Sequence, residues 1–203
     1  MKKFFKFFGI VILLFIAFVL IAGLFIKKEY HFERSVTINA PKEEIWKNIS
    51  TFSNYQKWDP FGAHDPNLQK TITGTDGTLG AKYSWKGNDE VGQGNMTYTE
   101  IKPYDHININ LVLNNGFESK AIAIYTLKEE GNAYKLTWTF DTKMPYPMNA
   151  ISNLFFDMDK MMDKEFSSGL TNLKKLCESN ATFTTFNVVN QHQMVREMKA
   201  FIE

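Results

Sequence analysis

The run FFGIVILLFIAFVLIAGLFI, from Phe7 to Ile26, carries no charge and has no polar face. Lys2, Lys3 and Lys6 precede it, and Lys27 and Lys28 close it. At about 1.5 Å per residue the run covers about 30 Å, the depth of a bilayer's hydrocarbon core. Residues 1–28 are therefore expected to form an N-terminal transmembrane anchor, so that the remaining chain folds as a membrane-tethered, single-pass protein. Two other readings stand beside this one. A cleaved signal peptide has a shorter apolar region, roughly 7–15 residues, ending at a small-x-small site. The stretch LIAGLFIKK offers no good site of that kind. A buried core helix would show a polar side. The flanking lysines are nearly balanced, so the positive-inside rule discriminates little. A short lysine-bearing tail ahead of a first apolar segment favours the cytoplasm and places the domain on the extracytoplasmic side.

Beyond the anchor the period changes from helix to strand. YHFERSVTI puts Tyr30, Phe32, Arg34, Val36 and Ile38 on one face. The run stops at Asn39-Ala40-Pro41, and a short helix follows with Ile45, Trp46 and Ile49 on one stripe. Pro41 suits a first helical turn, where a missing N–H costs little, and Glu43 and Glu44 suit a helix start. Turn signals at Asp59-Pro60 and Asp65-Pro66 come next, among aromatics. Strands are then expected over 68–73, 81–85, 95–101, 106–113, 117–127 and 133–140, with turns at 87–94, Asn114-Asn115-Gly116 and Glu130-Gly131-Asn132. Their alternation, such as Tyr134, Leu136, Trp138 and Phe140 against Lys135, Thr137 and Thr139, marks an antiparallel sheet with one wet face.

A single amphipathic helix is expected over 149–177, with Ile151, Leu154, Phe155, Met158, Met161, Met162, Phe166, Leu170 and Leu173 at steps of three and four. Gly169 interrupts it and implies close packing. Residues 179–203 read as a separate tail, with a strand over ATFTTFNVVN and an amphipathic stripe of Met194, Val195, Met198, Phe201 and Ile202.

Three stretches together, SVTINAPKEEIWKNISTFSNYQKWDPF, YSWKGNDEVGQGNMTYTEIKP and MDKMMDKEFSSGLTNLKKL, resemble the SRPBCC superfamily, the START-like and birch-pollen-allergen-like group. More narrowly, residues 30–178 resemble its membrane-anchored polyketide cyclase/dehydrase-like members. The resemblance implies an α+β helix-grip fold over 29–178: a seven-stranded antiparallel sheet wrapped around a long C-terminal helix, with an apolar ligand cavity between them.

No catalytic motif accompanies the resemblance, so chemistry must be sought in individual residues. The histidines, His31, His64, His106 and His192, lack ligand spacing, and the one cysteine, Cys177, makes neither an intramolecular disulfide nor a multi-cysteine zinc site. No metal or cofactor is expected. A net charge of +1, from 23 basic and 22 acidic residues, calls for no nucleic-acid partner. The candidate cavity is lined by Trp58, Phe61, Tyr83, Trp85, Met96, Tyr98, Phe155, Met158 and Met162. Core packing accounts for most of these as well as a pliable apolar pocket does. Trp58 and the Asp59-Pro60 loop are expected at its rim. Arg34 and Glu100 share the inward parity of their strands. Each is either a polar contact inside the cavity or a residue at a strand end, bulge or solvent edge. The expected partner is an apolar small molecule or lipid, bound rather than turned over. The alternative is a polyketide cyclase or dehydratase-like enzyme, with Glu100 as its acid or base.

Overall fold

In the computed structural model, the chain after the first helix is a curved antiparallel sheet closed on one face by a long helix. The backbone is described for residues 2–114 and 118–202, and the side chains for 4–114, 118–154 and 156–182. Helix α1 (Lys2–Phe25) leads into β1 (Glu29–Ile38), α2 (Lys42–Ile49) and α3 (Phe52–Tyr55). Then come β2 (Gln69–Thr73), β3 (Lys82–Lys86), β4 (Gln93–Lys102), β5 (His106–Asn114), β6 (Glu118–Glu130) and β7 (Ala133–Lys143). Helices α4 (Met148–Phe155) and α5 (Met158–Ile202) complete the chain. The seven strands lie in the order β1-β7-β6-β5-β4-β3-β2. β1 pairs with β7 because the chain returns to its start: Glu29 lies opposite Lys143, and Ile38 opposite Tyr134. The sheet's α1-proximal end thus holds the start of β1 and the end of β7.

The inner face is apolar along each strand, as the alternation requires. Tyr83, Met96, Tyr98, Ile107, Ile109, Ala123, Tyr125, Leu136 and Trp138 are buried there. Helix α5 covers this face and runs parallel to β1. Arg34 pairs with Asp163 near the helix start. Lys174 Nζ donates to the Thr37 carbonyl (2.5 Å), and Glu178 accepts from the Asn39 N–H (2.8 Å) one turn later. At Gly169 a Cβ would meet the Pro60 ring at 3.0 Å and Trp138 at 3.2 Å, so only glycine lets helix, loop and sheet meet at this distance.

Two local expectations change. The helix expected over 149–177 is two helices. Phe156 is extended (φ −131°, ψ 134°), and the Asp157 carboxylate accepts from the Lys160 N–H at 3.0 Å, starting α5 as an N-cap does. The strand expected over 181–190 is instead part of α5. Thr, Phe and Val favour strands only where a sheet receives them, and extending an existing helix needs no new nucleus. The stripe at Met194–Ile202 consists of side chains outside the described residues, and the turn at Asn114-Asn115-Gly116 falls largely on residues 115–117, also outside them.

Candidate functional site

Between sheet and α5 the side chains form a continuous layer of rings. Trp138 stacks on Phe166 at 4.1 Å, and Phe52 on Tyr98 at 4.0 Å. Trp58 stands edge-on to Tyr55, Tyr125 and Trp138, with centroids 4.9–5.8 Å apart. Tyr83 joins the layer from β3, stacked between Phe52 and Trp85. The sequence places these rings here because β3, β4, β6 and β7 each alternate an aromatic inward. α3 adds Phe52 and Tyr55 one turn apart.

Two donors inside this layer stand out. The Tyr83 hydroxyl (residue 1% exposed) and the Trp138 indole N–H (4% exposed) have no hydrogen-bond partner among the described residues. A buried donor left unpaired costs about 1–3 kcal/mol, so native interiors keep few of them. Trp58, by contrast, spends its N–H on the Asn48 carbonyl at 3.0 Å.

A carboxylate reaches the layer. Asp59 accepts from the Tyr55 hydroxyl at 2.8 Å and from the Phe61 N–H at 3.1 Å. Burial raises its pKa above the usual aspartate value, against the lowering effect of those hydrogen bonds and of Lys70. Burial likewise raises the phenols of Tyr55, Tyr83, Tyr98 and Tyr125, which stay neutral. In the sequence Asp59 stands only as part of a turn signal. An acid placed between Trp58 and Pro60, with tyrosine four residues earlier, was the available signal.

The structure places the expected site residues in different settings. Tyr83, Met96, Tyr98 and Met162 are buried in the layer, and Phe61, Trp85 and Met158 are half-buried against it. Trp58 is deep in the core rather than at a rim, because α2 and α3 carry the loop inward and Pro60 packs under Gly169. The inward placement of Arg34 and Glu100 is corrected. Arg34 keeps the inward parity of β1, but β1 is an edge strand, and the guanidinium reaches out to Asp163. Glu100 follows a register shift between Tyr98 and Glu100 that turns it to the outer face. There it accepts from Asn108 at 2.7 Å and faces His106 at 3.3 Å. The Phe155 side chain lies outside the described residues. Among those described, no three His, Cys, Asp or Glu side chains are grouped to hold a metal ion.

Outside this layer, a groove of about 340 Å³ runs between α1 and α4, lined by Phe15, Ile16, Val19, Leu20, Pro147 and Ile151. Helix α1 contains one stretch, Phe4–Phe25, long and apolar enough to cross a membrane, a property it shares with signal sequences.

Comparison with known proteins agrees with this architecture. A structural-genomics protein of Rhizobium leguminosarum superposes with a TM-score of 0.57 at 14% identity, over 75% of this chain and 96% of its own. One from Chromobacterium violaceum gives 0.53 at 15%, over 73% and 96%. The Aha1 dimer protein of Colwellia psychrerythraea gives 0.52 at 16%, also over 73% and 96%. At these identities the likeness is one of fold. No curated protein matches the chain by sequence. The family model described as polyketide cyclase / dehydrase and lipid transport matches residues 29–178, the span of the sheet and the packed part of α5. The chain belongs to that family, within the SRPBCC superfamily.

Proposed function

We propose that the domain binds one apolar small molecule or lipid carrying a hydrogen-bond acceptor, between the sheet and α5, and is held at a membrane by α1. The observation that carries this reading is the pair of buried, unpartnered donors, Tyr83 and Trp138, in an otherwise apolar layer. A ligand carbonyl or ether oxygen would recover what one of these groups loses on burial. Space for its apolar part comes from Met158 and Met162, flexible side chains at the start of α5, over the half of the sheet where β6 offers Ala121 and Ala123. That half is the α1-proximal end, so the ligand exchanges with the bilayer at short range. The domain lies on the extracytoplasmic side, with the Lys2, Lys3 and Lys6 tail retained inside. Native mass spectrometry of the full-length chain taken from membranes tests the reading. One bound apolar mass per chain supports it, and protein bare of any such mass counts against it.

Asp59 favours a second reading, an acid–base enzyme of the cyclase or dehydratase kind. A carboxyl raised by burial and held beside tyrosine hydroxyls can keep or take a proton nearer neutral pH than an exposed one. Glu100, exposed on the outer face, has no such setting. Turnover of polyketide-like substrates that is lost in Asp59→Asn, with ligand binding intact, would establish this reading over the first.

A further inference from the structure

We infer that residues 146–156, with α4, enter the bilayer beside α1 as a second membrane-embedded element. The inference rests on α1 being a membrane span. It begins with how α4 is seated. The Asn149 side-chain amide donates to the carbonyls of Gly23 (2.8 Å) and Ile26 (3.1 Å) at the end of α1. A Cβ on Gly23 would come within 2.9 Å of the Ala150 Cβ and 3.0 Å of the Tyr146 ring, so the two segments meet with no room for a side chain at position 23. Pro147 and Ile151 face Phe15, Ile16, Val19 and Leu20 across the groove. Val19 precedes Ile26 by seven residues, which is about 10 Å along a helix. If Phe4–Phe25 fills a core about 30 Å thick, that part of α4 lies at hydrocarbon depth.

The segment's chemistry fits that depth. No charged residue occurs between Lys143 and Asp157. Tyr146, Leu154 (42% exposed) and Phe156 (62% exposed) turn large apolar surface outward, as Phe25 does at the end of α1. The backbone is suited to lipid as well. Pro145 and Pro147 have no N–H to satisfy, while the N–H groups of Asn149 and Ala150 donate to the Pro145 and Pro147 carbonyls at 3.1 and 3.0 Å. Asn153 is paired with the Tyr30 hydroxyl and the Asn149 carbonyl. The occupant of this face is therefore acyl chains. Embedding here places the first turn of α5 at the membrane surface.

Site-directed spin labelling tests this on the full-length chain in a Cys177→Ala background, reconstituted in phosphatidylcholine/phosphatidylglycerol vesicles. Labels are placed at Leu154→Cys and Phe156→Cys, with Leu13→Cys as the reference for α1 and Glu129→Cys as the aqueous reference. Collision rates with oxygen and with a water-soluble nickel chelate are then compared. The expected result is that positions 154 and 156 behave like position 13, open to oxygen and protected from nickel by several-fold relative to position 129. Nickel-accessible labels at 154 and 156 beside a lipid-exposed position 13 would overturn this inference and leave the anchor standing. Nickel access at position 13 as well would overturn both. Protection from oxygen and nickel together would show that protein covers the face, and would also overturn it.

Discussion

Burial raises the carboxyl of Asp59, and this sets the sign of a pH effect. Its folded pKa lies above the ordinary value of 3.8, so between those two values the native state holds more proton than the unfolded chain. Stability from this group is then complete below about pH 4 and declines as pH rises through the folded pKa. Asp59→Asn should gain melting temperature relative to the parent as pH goes from about 4 to 7, with little difference at the acid end. A constant offset across that range in thermal denaturation would contradict it. Tyr83 makes a different prediction. Its hydroxyl has no partner among the described residues, so Tyr83→Phe should leave the ligand-free melting temperature unchanged or raised. The same change should weaken binding of a carbonyl-bearing apolar dye about 5–13-fold, the worth of one hydrogen bond at about 1–1.5 kcal/mol. Equal affinity in a fluorescence titration would remove Tyr83 from the site. Cys177, pushed up to about 12 mainly by burial, should resist alkylation until the protein unfolds. Residue type alone did not reveal these environments. Glu100 and Asp59 are both acids among aromatics, and a register shift beside one and two short helices before the other decide which is inside.

At the scale of elements, α5 is held by close approach as much as by apolar area. Mid-helix Gly→Ala substitution normally gains about 1 kcal/mol in helix propensity. At position 169 the added carbon meets Pro60 at 3.0 Å, so the gain should vanish, and Gly169→Val should cost about 1–3 kcal/mol through overpacking. Chemical denaturation of both variants checks this. Trp58→Ala should cost about 3–5 kcal/mol, as expected for a buried ring edge-on to three others, and a small cost would return Trp58 to a rim position. The strands were legible because period-two alternation reports a one-sided sheet directly. The α4–α5 break was less so, because Ile151, Leu154 and Met158 keep helical spacing across it. Only Asp157, as an N-cap, marks the boundary. The tail departs from its local pattern because Thr-Thr-Phe and Val-Val carry strand preference that a continuing helix overrides.

For the whole molecule, the sheet and the apolar first helix meet at one place: α1 ends where β1 begins, beside the end of β7 and against α4. The first helix was visible in the sequence as an uncharged apolar run, whereas its packing with α4 depends on Gly23, Asn149 and Ala150, whose proximity no local pattern announces. Sodium carbonate extraction should leave the full-length chain in the membrane pellet, and a soluble product beginning after residue 23 would show that α1 is removed as a signal sequence. The central claim is that the layer under α5 holds an apolar ligand, and native mass spectrometry tests it most directly when the parent is compared with Ala123→Phe. Position 123 faces inward on β6, 2% exposed, and under the proposed reading a phenyl group there takes the place of the ligand's apolar part. The parent should carry one bound apolar mass per chain, and a folded Ala123→Phe variant should carry none. A parent without bound mass, or a folded variant that carries the same mass as the parent, would contradict the account.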